Sequence, residues 1–288
     1  VVDEEALIRE LETGRIRAAL DVYYREPPLE DNKLRYMPNV LTMPHMAGPT
    51  IDRRQYVTIA LAKDIQEMIA GKKDGFFMMV EGGKIDYASH RDDAATMIHE
   101  VLDFNAAIAE AYEFYKQHKD ETLIIVTADH ETGGITLGRG AYELHLEVVG
   151  HQRMTIGKLG EELHKLHEKH GDKYNWDIVK AFLTENFGFW GAVKLKDEQT
   201  KRLEKAFENI MAGKGQDSKS LYQKDDELAT TVRKIQAECA MTGWQSGGHS
   251  NGYVPCFAIG AGAELFTGRI DNTEIPKRIA KAAGWQIK

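Results

Sequence analysis

The apolar positions of residues 3–13, "DEEALIRELET", recur every three or four residues behind an acidic first turn and stop before Gly14, which predicts a helix. "RIRAALDVYY" predicts a buried strand and "NVLTMPH" a second short one, ended by Pro44, with the Pro- and charge-rich loop "REPPLEDNKLRYMP" beside it. Residues 50–70 carry the spacing of a long helix. The pattern then restarts. "GFFMMVE" predicts a strand, residues 86–118 are mostly helical in spacing, and "ETLIIVTADHETGG" predicts a strand running into a glycine loop. Strand, helix and strand in that order predict a βαβ unit and a parallel sheet. Residues 141–242 are polar, charged and largely helical, with "LGEELHKLHEKHG" and "DEQTKRLEKAFENIMAG" the clearest stretches. "YVPCFAIG" is the last predicted strand and "NTEIPKRIAKAAGW" the last helix. No fixed-period repeat is present.

Composition narrows the classes. The 288 residues hold 37 Lys+Arg against 45 Asp+Glu, a net charge of −8, which argues against nucleic acid and anionic membrane as main partners. A hydrophobic content of 42% suits a globular chain with a sizeable core. The two cysteines are too few for a disulfide framework, and Cys256, inside "YVPCFAIG", is expected to be a buried free thiol. No stretch is long and apolar enough to span a membrane. No signal peptide is visible, and the opening "VVDEE" is expected to be a cut rather than a natural start.

The candidate chemistry lies in three separated segments. Glu81 follows the run "FFMMV", Asp129 and His130 follow "TLIIVTA", and His249 sits in the glycine-rich "SGGHSNG". Asp86 and His90, four apart, share one face of a helix. Carboxylates with imidazoles and no thiolate suit zinc, and carboxylates alone suit magnesium. Such a metal polarises a phosphoryl oxygen, and a pair of metals clamps both oxygens of an in-line displacement. Taken singly, an Asp–His pair on a helix is more often a solvated pair, and Asp-His after a strand more often a turn. The joint pattern is what points to metal. His164, His167 and His170, three apart, read as a wet helix face, as do the charge runs near 161–170 and 196–205.

"GFFMMVEGGKIDYASHRDDAATMIHEVLDF", "TLIIVTADHETGGITLG" and "GGHSNGYVPCFAIGAGAELFTGRIDNTEIPKRI" together resemble the alkaline phosphatase family over residues 72–288. The resemblance implies a large αβα sandwich, with 141–242 as its variable helical insert. It implies hydrolysis of phosphate monoesters, zinc and magnesium cofactors, a homodimer, and a periplasmic or extracellular location. The positions matching Asp86, His90 and His249 hold one zinc in that family. Those matching Asp129 and His130 help hold a second, and the position matching Glu81 helps hold magnesium. Tyr87 stands where subfamilies differ, so the substrate stays open. The family's serine nucleophile, in an Asp-Ser-Ala-type motif, has no counterpart here. Nor have its further shared aspartate, its magnesium-binding Thr or Ser, and its phosphate-clamping arginine.

Residues 1–71, carried by "RAALDVYYREPPLEDNKLRYMPNVLTMPHMAGPT", resemble the end of the NAD-binding domain of D-2-hydroxyacid dehydrogenases, a cytoplasmic family. That resemblance implies a fragment of a Rossmann-type domain. His45 would match the general acid/base, Glu26 the residue that orients it, and Asp21 a residue beside the nicotinamide. The G-x-G-x-x-G turn that cradles the pyrophosphate is absent, so no NAD binding is expected. The fold class is therefore α/β: an incomplete alkaline-phosphatase-like sandwich with a helical insert, preceded by a Rossmann-type fragment. The join is expected near "AGKKDG" and is expected to be accidental. Both pieces lack sheet partners, so poor solubility or a molten, oligomeric state is expected. Three readings follow: a truncated metal-binding phosphatase module, inactive alone; a dehydrogenase remnant; and a non-catalytic interaction protein using the 141–242 helices.

Overall fold

The computed structural model describes residues 3–20, 23, 25, 29–42, 75–138, 143–215, 218–219 and 224–285. The helix expected over 50–70 and the candidates Asp21, Glu26 and His45 lie outside them. The chain divides into two units, Val1–Glu81 and Gly82–Lys288.

In the first unit, helix α1 (Glu4–Glu12) starts where the Asp3 carboxylate accepts from Ala6 N at 2.9 Å, and Gly14 at φ +71° follows its end. Strands β1 (Ala18–Leu20) and β2 (Val40–Thr42) pair in parallel, Ala18 opposite Val40. The Asn39 amide donates to Leu11 O and Ile16 O at 2.8 and 2.9 Å, tying helix to strand. Leu11, Ala18, Tyr23 and Leu34 form a small core. Residues 75–80 correct the sequence expectation of a strand. They join no ladder among the described residues, and Phe76 to Val80 are exposed. An apolar run becomes a strand only when neighbouring backbone accepts its hydrogen bonds.

The second unit opens with α2 (Lys84–His90) and α3 (Ala94–Gln117). Residues 86–118 are mostly helical, as expected. The two helices part at Arg91–Asp93, where Asp92 takes φ +49° and Asp93 caps α3. Strand β3 (Leu123–Thr127) pairs with β8 (Cys256–Gly260), and β4 (Ile135–Leu137) with β7 (Thr242–Trp244). Both pairings are antiparallel, so the parallel βαβ arrangement expected here is not formed among the described residues. Cys256 is a free thiol as expected, but half-buried rather than buried. Its strand exposes alternate residues, with Phe257 at 64%.

Between β4 and β7 the expected helical excursion appears as α4 (Leu146–Val149), α5 (Ile156–His170), α6 (Trp176–Phe187), α7 (Asp197–Met211) and α8 (Glu227–Ala240). A small hairpin, β5 (Ser218–Lys219) with β6 (Lys224–Asp225), precedes α8. Thr155, Asn175 and Asp226 cap α5, α6 and α8. Here lies the dense core of the unit: Ile156, Leu159, Val179, Leu183, Phe187, Leu203, Val232 and Ile235 are almost wholly buried. His164 and His167 lie on the wet side of α5, and His167 stacks on Tyr174. The chain ends its described part in α9 (Ile275–Ala282), with Pro276 in its first turn. No helix among the described residues is long and apolar enough to cross a membrane.

This distribution of burial sets the mutational response. Leu183→Ala, in the dense helical core, should cost about 2–5 kcal/mol. Phe257→Ala, on the open face of β8, should change stability by no more than about 0.5 kcal/mol. Urea unfolding followed by far-ultraviolet circular dichroism checks both. Equal losses would show that the open face of β8 contributes as much to stability as the helical core.

Candidate metal centre

Three segments of the second unit bring their side chains to one place. Asp86 and His90 lie on α2, His130 follows β3, and His249 precedes β8. The i, i+4 spacing does put the α2 pair on one face: His90 Nε2 lies 3.3 Å from Asp86 Oδ2. His249 Nε2 lies 3.2 Å from Asp86 Oδ1 and 3.0 Å from His90 Nε2. The rings of His130 and His249 stack at a centroid distance of 3.5 Å. Ligand atoms of Asp86, His130 and His249 all fall within 4.8 Å of one another. Two further candidates complete the set. Asp129 is exposed, with Oδ2 at 3.1 Å from His130 Nε2. Glu81 ends the first unit and is exposed.

Hydrogen bonding around the rings decides what they can do. His90 Nδ1 lies 3.1 Å from Gly247 O, and His130 Nδ1 lies 3.1 Å from Glu131 O. A carbonyl only accepts, so each Nδ1 carries the hydrogen and each neutral Nε2 presents a lone pair. Those lone pairs face carboxylate oxygens and, for His90, another imidazole nitrogen. Lone pairs and anions facing one another repel, so either added protons or a metal cation must lie between them. Asp86 Oδ1 sharpens the point, because it is buried and forms no hydrogen bond although His249 Nε2 lies 3.2 Å away. One carboxylate with three imidazoles, and no thiolate, is a donor set that fits zinc.

Sequence reasoning passed over the residue that joins the loops. Glu131 accepts from Gly133 N at 2.9 Å, from Gly134 N, and from Ser250 N at 3.0 Å. The Ser250 hydroxyl and these three backbone N–H groups hold its carboxyl at about 2, against a desolvation that pushes the other way. A signal existed in "HETGG": a carboxylate followed at two and three residues by glycines, whose N–H groups can turn back to it. Gly133 is itself required. Its φ is +95°, and a Cβ there would stand 2.6 Å from Ser246 O and 2.8 Å from Gly248 O. Its carbonyl accepts from Gln245 N and Ser246 N at 3.0 and 3.1 Å.

Comparison with known proteins gives two results. A family model described as alkaline phosphatase matches residues 49–285. One described as the NAD-binding domain of D-isomer specific 2-hydroxyacid dehydrogenases matches residues 1–47. Among curated proteins, alkaline phosphatase 3 of Bacillus subtilis is 34% identical over 217 residues, which are 75% of this chain and 42% of that protein. D-3-phosphoglycerate dehydrogenase of Archaeoglobus fulgidus is 43% identical over 72 residues, 25% of this chain and 14% of that one. The chain thus spans less than half the length of the curated phosphatases it matches. Among solved structures, the cold-active alkaline phosphatase of a Shewanella species matches with a TM-score of 0.65 at 24% identity, covering 97% of this chain and 62% of the other. The Thermus thermophilus alkaline phosphatase matches at 0.62 and 21% identity, covering 98% and 59%. At these identities the structural matches speak for the fold.

The loop junction makes its own prediction. Gly133→Ala should force residues 130–134 away from 245–250. Amide hydrogen exchange read by mass spectrometry should then quicken in both loops and stay unchanged in α5 to α8. Unchanged exchange in the two loops would contradict the close approach at Gly133.

Proposed function

Since the chain belongs to the alkaline phosphatase family over residues 49–285, we propose that its second unit is a zinc-binding, phosphatase-type module whose hydrolysis of phosphate monoesters is very weak as the chain stands. The observation that carries this reading is the buried Asp86 Oδ1 without a hydrogen bond, surrounded by imidazole nitrogens that face it and each other. Asp86, His90 and His249 would hold one zinc. His130, whose ring stacks on His249, and Asp129 beside it would serve a second metal position. Glu81 would serve magnesium.

Zinc, when bound, supplies Lewis-acid polarisation of a phosphoryl oxygen. The chain's own residues do the positioning. Gly247 O fixes the tautomer of His90, Glu131 O fixes that of His130, and both turn Nε2 towards the neighbouring carboxylates. Stabilising the transferring phosphoryl group takes more than this. Phosphoryl transfer depends on placing the nucleophile in line and on neutralising the equatorial oxygens. The sequence has no Asp-Ser-Ala motif to supply a nucleophile, and no arginine matching the family's phosphate clamp. Small phosphate monoesters remain the substrate class, and a homodimer the expected assembly by family likeness.

The dehydrogenase-like residues 1–47 support a Rossmann-type fragment without supporting that chemistry. Residues 1–71 contain no G-x-G-x-x-G turn, so the pyrophosphate of NAD would have no cradle.

Two measurements test the proposal. Purified protein dialysed against zinc should retain it, and His249→Ala should retain clearly less by elemental analysis; equal zinc in both removes His249 from the site. With zinc and magnesium added at alkaline pH, p-nitrophenyl phosphate hydrolysis should lie many orders of magnitude below that of intact family members. Robust, saturable turnover that vanishes in His130→Ala would show that another residue replaces the missing machinery.

A further inference from the structure

The three imidazoles of the cluster come from segments far apart in sequence, so something must hold their loops in register. His90 does part of this, because its Nδ1 donates to Gly247 O on the N-terminal side of His249. The C-terminal side is held by one carboxylate. Glu131 Oε2 accepts from Ser250 N at 3.0 Å, next to His249, and also from Gly133 N at 2.9 Å. Glu131 Oε1 accepts from Gly134 N. Glu131 is itself the neighbour of His130. Its side chain therefore straps the residue after one imidazole to the residue after another, across 119 positions of sequence. Gly252, whose added Cβ would meet Glu131 Cγ at 3.1 Å, leaves the room for the strap to close.

We propose that Glu131 is a positioning residue for the metal centre, holding the rings of His130 and His249 at their mutual distance and angle. It is not offered as a ligand, because its two oxygens are occupied by backbone N–H groups. The inference rests on the metal-binding reading above. Both oxygens are used and three N–H groups are satisfied at once, so a carboxylate suits the place better than any neutral side chain. Glutamine keeps the volume and one acceptor oxygen but turns an amide N–H₂ towards a backbone N–H. Alanine removes every bond. The losses should therefore be graded.

The experiment measures zinc affinity by competition with a chromogenic chelator, and the visible spectrum of the cobalt(II)-substituted protein, for wild type, Glu131→Gln and Glu131→Ala. Thermal melts of the metal-free proteins run alongside. Removing a residue that orients metal ligands typically weakens binding about 10- to 100-fold. That loss is expected in Glu131→Ala, with a smaller one in Glu131→Gln. A changed cobalt spectrum and an unaltered melt of the helical core should accompany it. A merely structural role would lower the melt and leave the cobalt bands in place. If Glu131→Ala fails to fold, Glu131→Gln, which keeps the side-chain volume, carries the test. Wild-type affinity and spectrum in both variants overturn the positioning role alone. Failure of the wild type to bind zinc overturns the metal centre and this role together.

Discussion

The carboxylate of Asp93 is the contact on which the second unit depends. It is almost fully buried and accepts from Thr96 N at 3.1 Å, Thr96 Oγ1 at 2.7 Å, Gln152 Nε2 at 2.7 Å and Ile156 N at 3.0 Å. The first two bonds start α3. The last two tie that start to the entrance of α5, in the dense helical core. Asp93 lies three residues after His90, so the same carboxylate lies at the point where α2, with its candidate ligands Asp86 and His90, ends. Two neighbours reinforce it. Asp92 pairs with Arg233 on α8, and the Arg91 guanidinium packs against Gly157 on α5. Cutting one partner of so connected a buried carboxylate would leave several groups unpaired, and that is costly.

This anchoring accounts for an otherwise odd division of labour. The strands beside the candidate centre are thinly covered: β3 is at best half-buried, and β8 leaves Phe257 open. The inner faces of α5 to α8 are almost wholly buried, but these helices carry none of the clustered candidate ligands. Rigidity is needed at the centre because Asp86, His90, His130 and His249 face one another with anions and lone pairs that only protons or a cation can reconcile. The helical part supplies it through Asp93, while Glu131 and Gly133 supply it between the loops. Residues 141–242, polar and charged in sequence, are therefore what steadies the α2 candidates Asp86 and His90.

What could be read from the sequence was whatever depends on near neighbours. Asp86 and His90 are four apart on a helix, and helical geometry alone brings them together. His130 and His249 were visible as imidazoles beside glycines at strand ends, and the helices of 141–242 as apolar stripes. Properties that depend on distant partners were not legible. Residues 75–80 have the composition of a strand but no described ladder, since a strand exists only with its neighbour. The break at Arg91–Asp93 was hidden because "RDD" suits an exposed helix equally well until Ile156 N and Gln152 arrive from 60 residues away. Glu131 was passed over for the same reason: its meaning lies in Ser250.

The same logic bears on the proposed separation of metal binding from catalysis. Ligand geometry is a local matter here, closed by α2, two loops and the helical part that steadies them. Placement of a phosphoryl group is not local, because a nucleophile and a counter-charge must both face the metals from other parts of a fold. The chain spans less than half of the curated phosphatases it matches. Its Asp86, His90, His130 and His249 come together without the remainder, since each is held by backbone or side-chain groups of the second unit. On the proposed reading, metal binding rests on groups that the second unit organises by itself, whereas catalysis also needs a nucleophile and a counter-charge in line with the metals.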